Sequence, residues 1–311
     1  MKKKYYHFYT DDVIWAFRDV TRQRPASLFD NKYFGMLKKA HDDYGLKCQL
    51  NVFYRTDYFY GMDEFTLADM TDAYKDEFCA ASDWLKFAFH ALQEFPDYPH
   101  VNASYEDTDK LFKMIKREIV RFAGEKSMAY SVMPHWRPMS FNACKALYDN
   151  GVKIVTASVG KRTEYTGDPS VLPLGHAPRL LQNRQPETML FTRDTRIAAI
   201  TRSICSHNHV EDEEFLKLSR TMGYITDEKT GLKFKESCNG ICINRYTLSE
   251  LKEALSERLD DEFVGLANHE QYFYEDYYAH DPEYEEKIYT LAKMMNEAGF
   301  ECIFFEDVVK E

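Results

Sequence analysis

The segment YYHFYTDDV, residues 5–13, stands near the start of the chain and ends in two adjacent aspartates followed by a valine. An apolar and aromatic run of this length predicts a buried β-strand. Residues 29–44 follow with apolar side chains at helical spacing, and the pattern stops at Gly45, a residue that commonly ends helices. This strand and helix begin a pattern that the next hundred residues repeat.

Strands and helices alternate through the first 160 residues, which is typical of a parallel sheet joined by right-handed crossovers. We predict further strands at 47–54, 84–92, 129–136 and 152–157, and helices at 66–81, 107–122 and 140–150. After residue 245 the pattern returns, with helices at 249–259 (capped by Ser249) and 282–298, and strands at 263–267 and 302–305.

Residues 160–245 break this alternation, because Gly, Pro, Thr and charged residues divide them into short segments. We expect an inserted irregular or antiparallel segment there, packed on the main unit, with short strands near 194–205 and 240–245. The predicted fold class is α/β: a distorted (β/α) barrel of seven or eight mostly parallel strands, in a single domain of residues 1–311. An open doubly wound sheet is the alternative, although no glycine-rich nucleotide-binding motif is present.

Bulk composition argues against several function classes. The net charge of −11 provides no basic face of the kind that neutralises phosphate, so we expect no nucleic-acid partner. No stretch approaches the roughly 20 apolar residues that span a bilayer, so we expect no membrane partner. Seven scattered cysteines favour reduced thiols and a cytoplasmic location. The sequence does not indicate an oligomeric state.

Groups that bind metals or transfer protons stand at four predicted strand ends. These groups are Asp11, Asp12, His90, His135, His269 and Glu270. Because the carboxyl ends of parallel strands meet at one mouth, we expect the side chains to converge there. A single histidine at a strand end is more often structural, but the joint pattern of histidine and carboxylate is what a divalent metal such as zinc requires.

In their order and placement these motifs resemble the polysaccharide deacetylase (NodB-homology) superfamily of carbohydrate esterases. The strand-one motif implies that Asp11 is the general base and that Asp12 binds the metal. The resemblance further implies that His90 is a metal ligand, that Arg137 orients the base, and that His269 is the general acid. The implied activity is metal-dependent hydrolysis by a deacetylase or amidase, on a carbohydrate-like or small N-acyl substrate.

The chain departs from the family at the second metal-binding motif. The family usually has two histidines four residues apart, whereas this chain has His90 and Glu94. The third metal ligand therefore stays open between His135, His100 and Glu94. We favour His135, because it lies at a predicted strand end, whereas His100 lies in a proline-flanked loop. The expected cofactor is a divalent metal, with zinc preferred.

Aromatic residues near the same strand ends are candidates for stacking on a sugar ring. The predicted substrate contacts are Trp136, Tyr272 and Glu270. Two other functions compete with the hydrolase. A metal-free glycoside hydrolase would use Asp12 and Glu270 as its two carboxylates. A sugar-binding protein that has kept the barrel without turnover would account for the altered second motif.

Overall fold

The computed structural model describes residues 3–56, 64–95, 98–137, 139–156, 212–236, 241–277 and 279–309. Their strands form two mostly parallel sheets, against which the helices pack. The predicted strand at 194–205 lies outside the described residues. The strands are β1 (Lys4–Val13), β2 (Cys48–Phe53), β3 (Leu85–Ala91), β4 (Ser131–Val132), β5 (Ile154–Thr156), β6 (Ile225–Thr226), β7 (Lys233–Lys235), β8 (Phe263–His269) and β9 (Phe300–Cys302).

The first sheet has the strand order β3-β2-β1-β8, and β9 pairs with the amino-terminal part of β1. All of these pairings are parallel. In the register between β1 and β8, Tyr5 lies opposite Phe263 and Asp11 lies opposite His269. The carboxyl ends of the two strands therefore bring Asp11 and His269 side by side, as expected for neighbouring parallel strands.

The second sheet has the strand order β4-β5-β7-β6 and is parallel except for the β6–β7 pair. The described part of segment 160–245 thus contains an antiparallel pair, which joins the sheet through β7 beside β5. Bridges pair Phe87 of β3 with Met128, just before β4, and Ala267 of β8 with Cys242. A mostly parallel α/β architecture is confirmed, but the described strands form two sheets and show no closed barrel.

Local capping chemistry accounts for several helix boundaries. The Ser104 hydroxyl accepts a hydrogen bond from the Asp107 amide, and the predicted cap Ser140 accepts one from Ala143. Gly45 ends the second helix with φ of 70°, where glycine has no steric penalty. None of the described helices is both long and apolar enough to cross a bilayer. The helices are α1 (Trp15–Gln23), α2 (Lys32–Tyr44), α3 (Lys75–Ala80), α4 (Tyr105–Ala123), α5 (Phe141–Asp149), α6 (Asp212–Ser219), α7 (Leu248–Ser256) and α8 (Tyr284–Glu297).

The two faces of the first sheet have different surroundings. On the helix-facing side, Phe8 belongs to the main apolar core together with α1 and α2 side chains. On the opposite side, Tyr9 packs in a smaller cluster with Met133 and Phe305. That inner face also carries fully buried polar side chains, which are uncommon in a purely structural core. They are His7, Gln49 and Asn51, and the equally buried Ser131 of β4 donates to Gln49 from the second sheet.

Two predicted elements are much shorter in the structure. The helix expected at 66–81 is a 3₁₀ turn at Leu67–Asp69 followed by α3. The Arg121 side chain donates to the carbonyls of Leu67 and Met70. In a continuous helix these carbonyls would instead accept from backbone amides one turn later. The strand expected at 129–136 is reduced to β4, because the chain turns at His135 and continues in a left-handed backbone conformation.

Three other predicted boundaries were wrong. The cap of α7 is Thr247 rather than Ser249, because the Thr247 hydroxyl accepts from the Glu250 amide. The strand expected at 302–305 is β9, after which Phe305–Val308 forms a 3₁₀ turn. The described part of the strand expected at 240–245 is the single bridge at Cys242 and a 3₁₀ turn.

Candidate metal centre

A bulge in β1 turns both aspartates toward one site. Residues Thr10 and Val13 pair with Leu50 and Val52 of β2, so β1 has one residue more than its partner over this interval. Asp12 has φ of 64°, in the left-handed region that residues other than glycine seldom adopt. Adjacent side chains in a regular strand point to opposite faces. The bulge thus explains how neighbouring carboxylates serve the same site.

His90 stands at a second bulge. Val52 and Phe53 of β2 pair with Phe89 and Ala91 of β3, which leaves His90 as the extra residue. Its Nδ1 lies within hydrogen-bond distance of the Met133 carbonyl, and its Nε2 is 3.0 Å from Asp12 Oδ1. A carbonyl can only accept, so Nδ1 carries the hydrogen. In the neutral imidazole, Nε2 therefore presents a lone pair to Asp12.

His135 approaches the same point from the turn after β4. Its Nδ1 lies 3.3 Å from Asp12 Oδ1 and 3.2 Å from His90 Nε2. Its Nε2 donates to the Glu94 carbonyl at 3.0 Å, which leaves the lone pair of the neutral ring on Nδ1. Backbone carbonyls that orient ligating imidazoles in this way are common around bound metals.

The three side chains form a group whose ligand atoms all lie within 4.8 Å of one another, and all three are buried. With both imidazoles neutral, three lone pairs face each other, which is unfavourable unless a proton or a cation lies between them. Burial opposes ionisation of Asp12, but hydrogen bonds from His135 and His90, which require a proton on the imidazole nitrogens that face the carboxylate, outweigh burial and hold the pKa of the carboxyl well below its usual range. An anionic oxygen and two imidazole nitrogens fit a divalent ion such as zinc.

The other two candidates for the third ligand lie behind this group. His100 donates from Nε2 to the His90 carbonyl at 2.7 Å, and burial lowers its pKa to about 3. Glu94 accepts from His135 through its backbone, and its carboxylate accepts from Gln271 at 3.3 Å. Among the described residues, the structure thus brings together Asp12, His90 and His135, and places His100 and Glu94 as supports.

Asp11 is held by a buried chain of polar side chains. Asn51 donates to Asp11 Oδ1 at 2.6 Å, and Gln49 donates to Asn51 at 2.8 Å. Ser131 of β4 donates in turn to Gln49 at 2.6 Å. The sequence-based reasoning missed these residues. The signal was present, since Gln49 and Asn51 are polar residues two apart in an otherwise apolar strand.

Arg137 and Trp136 follow His135 with φ of 77° and 61°. Arg137 donates to the Tyr9 hydroxyl at 2.8 Å, so it reaches the inner face of β1 two residues before Asp11. Its expected contact with Asp11 stays a prediction. The half-buried Trp136 ring lies 5.1 Å from the Tyr98 ring.

His269 lies beside Asp11 and is held by Asn244, which the sequence-based reasoning also missed. The Asn244 Oδ1 accepts from the His269 backbone amide at 2.8 Å and lies 3.2 Å from Nδ1. Cys242 Sγ is 3.7 Å from the same nitrogen. Burial lowers the pKa of His269, but the Cys242 thiol, Asp12 and Asp11 raise it to about 10. The predicted substrate contact Tyr272 is half-buried, with its ring 6.1 Å from His269.

The structure gives Glu270 a different position from the one predicted for a substrate contact. The side chain is fully buried, and its oxygens accept from the backbone amides of Ile14, Trp15 and Ala16 at 2.7–2.8 Å. These amides open α1, where a carboxylate is favoured by free N–H groups and the helix dipole. Burial raises the pKa of Glu270 to about 7, against these hydrogen bonds. Glu270 therefore caps a helix and is not presented to substrate.

No protein-family model and no curated protein matches this sequence. Among solved structures, a protein assigned as a polysaccharide deacetylase from Mycobacterium smegmatis aligns with a TM-score of 0.45 and 12% identity, over 99% of this chain and 89% of that one. The 4-alpha-glucanotransferase from Thermococcus litoralis aligns with a TM-score of 0.54 and 9% identity over 99% of this chain. This chain spans 40% of that enzyme's length. The chain therefore shares its α/β fold with part of that glucanotransferase.

Proposed function

We propose that this protein is a metal-dependent hydrolase, a deacetylase or amidase that removes an acyl group from a carbohydrate-like or small N-acyl substrate. We further propose that it is a divergent member of the polysaccharide deacetylase superfamily. The observation that carries the proposal is the convergence of acceptor atoms from Asp12, His90 and His135, with both imidazoles oriented by backbone carbonyls. Zinc is the proposed ion, because three such ligands leave a fourth position open.

Two neighbouring side chains would handle the protons. An ion held by the three ligands would acidify water and polarise an acyl carbonyl. Asn51 occupies Oδ1 of Asp11, so Oδ2 is the proposed proton acceptor. His269 stands opposite Asp11 in register and is the proposed proton donor to the leaving amine. Because Asn244 faces Nδ1, the donated proton would leave from Nε2.

The aromatic residues near this centre are the proposed substrate contacts. Trp136 and Tyr272 are both half-buried. The ring centroid of Trp136 lies 6.1 Å from that of His135, and the ring centroid of Tyr272 lies 6.1 Å from that of His269. A sugar ring stacked on either would lie beside the proposed ion. The glycoside hydrolase alternative is not pursued, because its second carboxylate, Glu270, caps α1.

Metal analysis of purified protein tests the proposal most directly. We expect about one equivalent of bound zinc, removable by a chelator, and loss of zinc binding in Asp12→Ala. Asp11→Asn is the matched variant, because it keeps the three ligands and removes the proposed base. It should retain zinc and lose hydrolysis of N-acetylated sugars. Wild-type protein that binds no divalent ion would contradict the proposal. If the protein binds zinc and sugar but hydrolyses none of a set of N-acetylated sugars, the result would favour the sugar-binding alternative.

We also propose that the two sheets belong to one distorted barrel in a single domain. The Phe87–Met128 bridge joins β3 to the segment that enters β4. On the other side of the first sheet, Cys242 lies beside Ala267 of β8 and follows β7 in the chain. Both edges of the first sheet are thus flanked by segments that lead to or from the second. A cytoplasmic location accords with the thiol content and stays part of the proposal.

A further inference from the structure

Cys242 and His269 bring a thiol and an imidazole together at the carboxyl end of β8. The Cys242 Sγ atom lies 3.7 Å from His269 Nδ1, close to the limit for a hydrogen bond to sulfur. Backbone pairing fixes this approach, because Cys242 forms a parallel bridge with Ala267, and the Ala267 amide donates to the Ile241 carbonyl at 3.1 Å. The sheet pairing therefore places Cys242 alongside the end of β8, within reach of the His269 side chain.

Asn244 determines which hydrogen the imidazole presents. The His269 backbone amide can only donate, so the Asn244 atom 2.8 Å from it must be the carbonyl oxygen. The same oxygen lies 3.2 Å from Nδ1, which must then carry a hydrogen. That N–H is shared between the Asn244 oxygen and the Cys242 sulfur. A positively charged ring would favour the thiolate form of the cysteine.

Charges around the pair act in the same direction. Asp11, which lies beside His269 in the register of β1 and β8, attracts a protonated His269 and raises its pKa, although Asp11 also raises the pKa of the thiol. Burial disfavours the Cys242 thiolate, but the charge of His269, its hydrogen bond and Arg245 outweigh burial and leave the pKa of Cys242 below its usual value. The geometry and the surrounding charges thus agree.

We propose that Cys242 and His269 form a thiolate–imidazolium pair, which makes Cys242 a covalent modification site for soft carbon electrophiles at the edge of the candidate metal centre. With a haloacetamide, the sulfur bonds to the methylene carbon while the carbon–halogen bond breaks and halide leaves. The former thiol proton remains on His269. Nothing in this proposal requires the protein to be a hydrolase.

Alkylation with iodoacetamide, followed by mass spectrometry of the Cys242 peptide, tests the pair. At pH 7 we expect Cys242 to react about tenfold more slowly in His269→Gln than in wild type, because the thiolate loses its counter-charge. Cys79 is the internal control, since it is half-buried and donates to the Ala123 carbonyl rather than to a histidine. Its rate should be the same in both proteins. An unchanged Cys242 rate in the variant would overturn the proposal.

The pH dependence in wild-type protein gives a second test that needs no folded variant. When the pH falls from 8 to 6, the thiolate fraction of an ordinary thiol falls by roughly 100-fold, and its alkylation rate falls by the same factor. We expect Cys242 to lose less than about fivefold over this range, because His269 keeps it ionised. A loss of the ordinary size at Cys242 would also overturn the proposal. Alkylation is measured without a substrate, so a negative result for Cys242 leaves the hydrolase proposal standing. Equally, a protein without hydrolase activity could still contain the thiolate–imidazolium pair.

Discussion

Asp12 combines an unfavourable backbone conformation with a place in the candidate metal centre. Its φ of 64° costs a residue with a Cβ atom roughly 1 kcal/mol or more. The β1 bulge imposes this conformation, and the same bulge brings Asp12 Oδ1 to within 3.0 Å of His90 Nε2. The strain is therefore a consequence of placing two adjacent carboxylates at one site.

This strain can be measured with a pair of variants. Both Asp12→Gly and Asp12→Ala remove the carboxylate, but only glycine adopts positive φ without a steric penalty. We expect Asp12→Gly to be more stable than Asp12→Ala by about 1 kcal/mol, although glycine normally destabilises a strand. Urea unfolding of the two metal-free variants measures the difference. An alanine variant that is equally or more stable would contradict the assigned backbone conformation.

Asn51 is the residue whose loss should separate proton transfer from metal binding. Asn51→Ala removes the 2.6 Å hydrogen bond that holds Asp11, while all three proposed ligands remain. We expect turnover of an N-acetylated substrate to fall about a hundredfold, because a displaced base loses its alignment. Zinc stoichiometry should stay at the wild-type value. Unchanged turnover would show that Asp11 needs no such support.

At the scale of elements, the central strands were the most predictable part of the fold. β1, β2 and β3 lie within one or two residues of their predicted bounds, because polar residues or turns flank segments rich in apolar and aromatic side chains. The length of β4 was overestimated, since the mainly apolar segment 128–133 extends beyond the two residues that pair with β5. Pattern alone does not reveal where a partner strand ends.

The candidate site was predictable to the same partial extent. Asp12, His90 and His135 were expected to converge because the ends of parallel strands meet, and their potential ligand atoms lie within 4.8 Å of one another. Asn244 was missed because an asparagine in a turn has no motif around it, and Asn51 was missed although it alternates with Gln49 in an otherwise apolar strand. Glu270 was misassigned, since its contacts with the start of α1 cross more than 250 residues of sequence. Long-range contacts of this kind decide whether a strand-end carboxylate is offered to a ligand or buried.

The start of α7 gives a direct comparison of the observed cap with the predicted one. Thr247 and Glu250 exchange hydrogen bonds in a capping box. We expect Thr247→Ala to lower the free energy of unfolding by about 1 kcal/mol, and Ser249→Ala to change it by less than about 0.5 kcal/mol. Urea unfolding measures both. A larger loss in Ser249→Ala than in Thr247→Ala would move the helix start to the position predicted from sequence.

For the whole molecule, buried neutral histidines tie stability to pH. His7 is fully buried on the inner face, donates to the Ile303 carbonyl at 3.1 Å and stacks on Tyr9 and Phe305. Burial lowers its pKa from 6.5 to about 3. Between these values the unfolded chain binds the proton and the folded chain does not. Stability therefore falls as the pH drops below 6.5, and the loss is complete near pH 3.

We expect His7 to account for roughly 2 kcal/mol of the stability lost between pH 7 and pH 5. His7→Gln keeps a donor for the Ile303 carbonyl and cannot take up the proton. The variant should therefore lose correspondingly less stability over the same interval, even if it is less stable at pH 7. Urea unfolding of both proteins at the two pH values tests this. Equal losses in the two proteins would mean that His7 is not buried as a neutral ring.

The bulges at Asp12 and His90 have a consequence for insertions and deletions. In each case the side chain faces the site because one strand has a residue more than its neighbour. Removing a single residue at either place would restore one-to-one pairing, and the strand would then lose the extra side chain that faces the site. The site is thus specified by the length of two short segments as well as by the identity of their residues.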